Sequence, residues 1–355
     1  MKTSRLNRVL SGMEKMGLRQ VLVTSTESVC YLTGIWIAPG ERLMALLLGE
    51  GGCRLVVNRM FDAPPSESLK ITAFDDAEDS VAALAGFIAP GLLGVDKAWP
   101  SRFLLSLMEK RPDVRPVNGS APVDEARMLK DEEEIAALRA SSRMNDRVTG
   151  LLRRSLAEGE TELDVARRYA DLGMKEGASG LGFEPLICFG AGAAEPHHAT
   201  GGARLKKGDA VILDVGLNVR HALSDMTRTV FFGSATDEEK RVYDVVRRAN
   251  EAGKAAVRPG VALSEIDRAA RGVIEAAGYG EHFLHRTGHG LGLEVHEPPD
   301  VSASGRYVAQ PGMVFSVEPG VYLQGRFGVR VEDLVLVTPD GCEVLNDLDR
   351  DFLIV

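Results

Sequence analysis

Several things are missing from this chain of 355 residues, and each absence narrows what it can be. The four cysteines, Cys30, Cys53, Cys188 and Cys342, lie far apart and form no C-x-x-C pair. A disulfide framework or a thiolate zinc site is therefore not expected, and free thiols fit a reducing compartment. No apolar run approaches the roughly 20 residues a membrane helix needs. The stretch from Met1 to Gln20 is charged and amphipathic, without the apolar core and small-residue cleavage site of a secretory signal. A cytoplasmic protein is expected. Positive charge is not in excess: 42 Lys and Arg stand against 51 Asp and Glu, a net −9. Neither nucleic acid nor an anionic membrane is expected as the main partner. There is no Walker loop, no G-x-G-x-x-G and no low-complexity tract. Histidine is absent before position 197, and all seven lie between 197 and 296.

The length suggests two domains and a core large enough to need no metal or disulfide staple, so a bound metal would serve function. Residues 1–122 read as an alternating α/β unit. Leu6–Met16, Val81–Ile88 and Ser101–Lys110 have helical patterns. Gln20–Thr24 and Leu92–Val95 read as strands, Ser25–Ser28 as a turn. Met44–Leu48 and Cys53–Val57 flank Gly51-Gly52 as a hairpin. The character changes near 122, and Lys130–Leu156 reads as a long charged helix opening a second domain, 123–355. Thr161 and Thr236 each precede a carboxylate by three residues, the capping-box spacing, and Gly177 and Gly278 stop helices.

An internal echo runs through the second domain. Gly208-Asp-Ala-Val-Ile-Leu-Asp214-Val-Gly216 resembles Gly312-Met-Val-Phe-Ser-Val-Glu318-Pro-Gly320. A glycine opens a β-rich run in each, and a carboxylate follows six residues on (214 − 208 = 318 − 312 = 6). A second carboxylate follows in each half, Asp225 and Glu332, ahead of the β-like runs Thr227–Phe232 and Leu334–Val337. The echo is expected to bring four carboxylates together from four strands.

Carboxylates in apolar runs are costly without partners, and several facing inward repel one another unless protons or cations sit between them. Divalent metal resolves this. His289, in the Gly-rich stretch Thr287-Gly-His-Gly-Leu-Gly292, is the candidate imidazole. A mixed carboxylate and imidazole set suits zinc, manganese, cobalt or iron better than calcium. His197, after Glu195-Pro196, and His296, before Glu297-Pro298-Pro299, are candidates to contact a substrate or move protons beside such a site. From spacing alone His285 and His221 read as structural, and His282 as a surface residue.

Five segments carry a resemblance. They are Leu213-Asp-Val-Gly216, Ser224-Asp-Met-Thr-Arg-Thr229, His285-Arg-Thr-Gly-His-Gly-Leu-Gly-Leu-Glu-Val-His-Glu297, Val317-Glu-Pro-Gly320 and Gly328-Val-Arg-Val-Glu-Asp333. Residues from about 123 onward resemble the pita-bread-fold metallopeptidases related to methionine aminopeptidase. Within them the chain looks like the Xaa-Pro peptidases, prolidase and aminopeptidase P. Tyr31-Leu-Thr-Gly34 resembles the creatinase-type N-terminal domain, more weakly. The fold this implies is a mixed α/β (α+β) chain: a creatinase-like N-terminal domain, then a pita-bread catalytic domain with a pseudo-two-fold repeat.

The resemblance also implies roles. Asp214 would chelate one of two divalent metals (Mn, Co or Zn), His289 and Glu318 the other, and Asp225 and Glu332 would bridge both. A metal-bridging hydroxide would attack the scissile carbonyl, with Glu318 as proton shuttle. His197 would contact the scissile bond and His296 the carbonyl or oxyanion, whereas the neighbouring His198 is not expected to take part. His285 becomes a candidate near the substrate pocket, and Arg330 a candidate beside the metal carboxylates. The implied partners are a proline-containing peptide and a second copy of the chain, whose N-terminal domain limits substrate length.

One departure bears on substrate length. Some prolidases carry an arginine in the stretch after the second histidine. Here Glu297-Pro-Pro-Asp300 stands there, and the nearest downstream arginine is Arg306. The compact chain favours a dipeptidase, with aminopeptidase P as the alternative. Creatinase-like hydrolases and non-catalytic relatives on this fold lack the five ligands that this chain keeps. A metal-dependent lyase on the fold retains a ligand set and is the alternative of another class.

Overall fold

The structure, a computed structural model, describes residues 1–196 and 198–355. The chain divides into two compact units, Met1–Arg127 and Met128–Val355. The division falls near the end of the helix Ala121–Met128, whereas the expected boundary at 122 lies in its first turn.

The first unit is built on a six-stranded mixed sheet. The expected hairpin is present as Met44–Gly49 paired antiparallel with Gly52–Asn58, Gly49 facing Gly52. Gln20–Val23 pairs antiparallel with the first of these strands and parallel with Gly91–Val95. Apolar side chains from this sheet and its helices, among them Leu22, Leu47, Val56, Leu93 and Leu107, form one core. Ser25 differs from expectation. It caps the helix Thr26–Thr33, accepting a hydrogen bond from the Ser28 amide at 3.2 Å, which is what an N-cap serine does in place of a free-standing turn.

The second unit opens with the helix Glu132–Arg154, started by a capping box in which Asp131 and Glu134 exchange hydrogen bonds. The expected boxes at Thr161 and Thr236 start the helices Glu162–Glu176 and Asp237–Ala256. Gly177 ends the first of these in the left-handed conformation. Among the described residues, the two echoing strands lie in a three-stranded sheet around Ala210–Val215 and a five-stranded sheet around Val314–Val317.

The internal echo is an echo of structure. Gly208 and Gly312 both open their strands at positive φ, +95° and +92°, a conformation that costs a glycine nothing. Ala210–Val215 then pairs antiparallel with Met226–Phe231, as Val314–Val317 does with Asp333–Val337. One helix amide grips each half. Asn145 donates to the Val215 carbonyl and Asn250 to the Val317 carbonyl, both at 2.8 Å.

Candidate active site

Asp214 lies within its strand, opposite Thr227 on one side and Leu186 on the other. Asp225 lies just before the strand Met226–Phe231, and Glu332 just before Asp333–Val337. Glu318 follows the end of Val314–Val317. The four carboxylates thus come from one strand and three strand ends, not from four strands. At a strand end the backbone is released from the ladder and the side chain can turn toward the cleft.

His289 sits in the short strand Gly288–Gly290, buried, rather than in a loop. Its flanking glycines are a packing requirement. A Cβ on Gly288 would stand 1.8 Å from the Ser316 carbonyl oxygen, and one on Gly290 would stand 2.4 Å from that of Pro298. The His289 amide donates to Ser316 Oγ at 3.0 Å, and the same hydroxyl donates to Glu318 Oε1 at 3.1 Å. His289 Nε2 is 3.4 Å from Glu318 Oε1 and 3.7 Å from Asp225 Oδ2.

These five side chains line one cavity of about 280 Å³. Ligand atoms of Asp225, His289 and Glu332 lie within 4.8 Å of one another. Asp225 Oδ1 and Glu332 Oε1 are buried without a hydrogen-bond partner among the described residues. Burial, reinforced by the neighbouring carboxylates, pushes both carboxyls well above the usual carboxylate range, and burial also raises that of Glu318. Burial pushes the His289 imidazole down to about 4, so the ring is neutral and free to ligate at neutral pH. Orphaned buried oxygens, mutually repelling carboxylates and a neutral imidazole together make a donor set that fits divalent metal.

Arg330 is buried and committed. It donates to Thr227 Oγ1 at 3.1 Å, to the Tyr322 hydroxyl at 2.7 Å and to Asp214 Oδ2 at 2.6 Å. The Tyr322 hydroxyl lies 2.8 Å from His285 Nε2, and His285 Nδ1 lies 2.7 Å from the Arg286 carbonyl. A carbonyl only accepts, so Nδ1 carries the proton and Nε2 takes one from tyrosine. His285 is in this way linked to Asp214 through two side chains. Asp267 and Arg271, on the helix Leu263–Ala276, secure the same segment. Asp267 accepts from the Thr287 hydroxyl at 2.7 Å, and Arg271 donates to the His285 carbonyl at 2.9 Å.

His296 lines the cavity with its ring 4.3 Å from that of His289. Desolvation of the ring, then His289 and Arg286, hold its pKa well below the ordinary imidazole value. His197 lies outside the described residues. Its neighbour His198 is tied to Glu162, with Nε2 2.9 Å from Oε2. Glu162 is fully buried and also accepts from the Phe189 and Gly201 amides at 2.9 and 2.8 Å. Glu162, Asn145, Asn250 and Tyr322 have no signature in the sequence, because their partners are distant in the chain. His221 is held in a turn at φ +69°, and His282 belongs to the short 3-10 helix Gly280–His282.

Five potential metal ligands around one cavity make a candidate divalent-metal centre. Residues 136–339 match metallopeptidase family M24, and residues 5–129 match the creatinase/prolidase N-terminal domain. The chain belongs to the M24 metallopeptidases. It is 36% identical to the "Probable dipeptidase PepE" of Mycobacterium tuberculosis, over 96% of this chain and 92% of that one. Among solved structures it is similar to a dipeptidase from Pyrococcus horikoshii, with a TM-score of 0.94 and 32% identity, over 99% of this chain and 100% of the other. It is also similar to a prolidase from Thermococcus sibiricus, with a TM-score of 0.94 and 32% identity, over 100% and 99%. An X-Pro aminopeptidase from Thermotoga maritima gives 0.83 and 27%, over 97% and 100%. Among the described residues no helix is long and apolar enough to cross a membrane.

Proposed function

We propose that this chain hydrolyses the Xaa-Pro bond of dipeptides with two divalent metal ions. The observation that carries the reading is the cavity lined by Asp214, Asp225, His289, Glu318 and Glu332 together. Asp214 would hold one metal, His289 and Glu318 the other, and Asp225 and Glu332 both. Manganese, cobalt or zinc held there would polarise the scissile carbonyl and make hydroxide available at neutral pH.

The chain's own groups supply the rest. Glu318 can take the proton released by the attacking water and pass it to the prolyl nitrogen. His296 stands on the cavity wall where a neutral ring can donate to the carbonyl or its oxyanion. By the family resemblance, His197 would contact the scissile bond. Arg330 orients Asp214 through a hydrogen bond at 2.6 Å. Proline has no amide hydrogen and a fixed φ, so a dedicated pocket is needed. At about 280 Å³ the cavity lies just below the usual range of ligand pockets, roughly 300–1,000 Å³, which suits a dipeptide. The names of the relatives support the dipeptidase reading, and the likeness to an X-Pro aminopeptidase keeps longer peptides as the second one. Family likeness supports a homodimer, and four free cysteines support a reducing, cytoplasmic setting.

The test is hydrolysis of Ala-Pro against Ala-Pro-Ala by manganese-loaded protein. Cleavage of the dipeptide is expected. Cleavage of the tripeptide alone would replace this reading with aminopeptidase P, and cleavage of neither would return the lyase alternative.

A further inference from the structure

The four metal-site carboxylates would be balanced by the metals they hold, so a bound peptide meets the remaining charges of the cavity. Apart from the four metal-site carboxylates it is lined by Glu184, and only two cations among the described residues reach it, Arg286 and Arg330. A dipeptide brings a carboxylate that must lie close to the scissile bond, because one residue separates them. That anion needs a cation with donors to spare.

Arg330 has none. It is 4% exposed, and its Nε and both terminal nitrogens donate to Thr227, Tyr322 and Asp214. Arg286 differs. It is half-buried, and its side chain is paired through Nη1 with one exposed carboxylate, Asp300. A guanidinium has five N–H donors, so this pair leaves a fork that can take a second carboxylate. Arg286 also lines the adjoining cavity of about 570 Å³, as His296 does, and so stands where the two spaces meet. Arg306, downstream of His296, lines that adjoining cavity and not the one that holds the carboxylates.

We propose that Arg286 is the specificity-determining residue that binds the C-terminal carboxylate of an Xaa-Pro dipeptide. This rests on the Xaa-Pro reading of the site above. When the chain continues past proline the carboxylate becomes an amide, the ion pair is lost, and preference for dipeptides follows. The cation that reads substrate length then comes from ahead of His289, not from the stretch after His296.

The experiment compares kcat/KM of the metal-loaded full chain for Ala-Pro and for Ala-Pro-amide, which differ only in the charge to be read. The wild type is expected to prefer the free acid. In Arg286→Gln that ratio should collapse by about 10- to 100-fold, the worth of a charged hydrogen bond, chiefly through KM. Arg286→Lys should recover part of it. An unchanged ratio in Arg286→Gln, or a wild type without preference, overturns the proposal and leaves Xaa-Pro hydrolysis standing. A wild type inert toward both substrates overturns the parent reading instead. Product inhibition of the wild type reads the same contact without a variant: proline should inhibit more strongly than prolinamide, and equal inhibition would overturn the assignment.

Discussion

Thr227 holds Glu332 at two points. Its hydroxyl donates to Glu332 Oε2 at 2.6 Å, and its carbonyl accepts from the Glu332 amide at 3.1 Å. The same hydroxyl accepts from Arg330 Nε. A residue of the first half thus aims the carboxylate of the second. Thr227→Val keeps the shape and removes the hydroxyl. Metal affinity is expected to fall about 10- to 100-fold, the usual effect of losing the group that orients a ligand. Thr227→Ser should retain most of it. Calorimetric titration with manganese checks both.

Metal and protons compete for the same oxygens, which sets the pH dependence. In the metal-free fold Asp225 and Glu332 have pKa values above their unfolded ones, from burial and mutual repulsion. Such groups contribute stability at low pH and lose it as pH rises through the folded pKa. Metal replaces the protons. The rise in Tm on adding manganese is therefore expected to grow as pH goes from about 5 to 8. A rise that is flat with pH would contradict this linkage.

Beside the metal site, Asp333 is buried among three cations. It accepts from Arg228 at 2.9 Å and from Lys254 and Arg350 at 2.6 Å. Burial works against its charge, but Arg228, Arg350 and Lys254 prevail and hold its pKa far below the usual carboxylate value. The direction is opposite to that of Asp225: this contribution is present above the unfolded pKa and is lost as pH falls through the folded one. Asp333→Asn leaves buried cations uncompensated and should cost about 3–5 kcal/mol. Thermal and urea unfolding would measure it.

Tyr322 joins His285 to Arg330 through one hydroxyl. Tyr322→Phe is expected to leave the fold intact, release the His285 ring and lower kcat about 10-fold, with metal content unchanged. Elemental analysis of the purified variant separates loss of metal from loss of orientation.

The spacing of ligands along the chain was legible because it is a property of the chain. Asp214, Asp225, Glu318 and Glu332 stand in two echoing segments whose opening glycines, Gly208 and Gly312, recur at positive φ, and His289 lies between them. Helix ends were legible for the same reason, since Thr161 and Thr236 cap with residues three positions away. Tertiary structure decided what depends on distant partners. It tied His198 to Glu162, 36 positions away, and joined Asp214 to Arg330 across 116. It supplied the neighbouring carbonyls that leave no room for a Cβ at Gly288 and Gly290. It also set Arg286, not Arg306, on the wall of the metal cavity. Local periodicity records which face a residue takes within its own element. Which charge meets which across a cleft depends on how the elements pack, and no short-range pattern carries that.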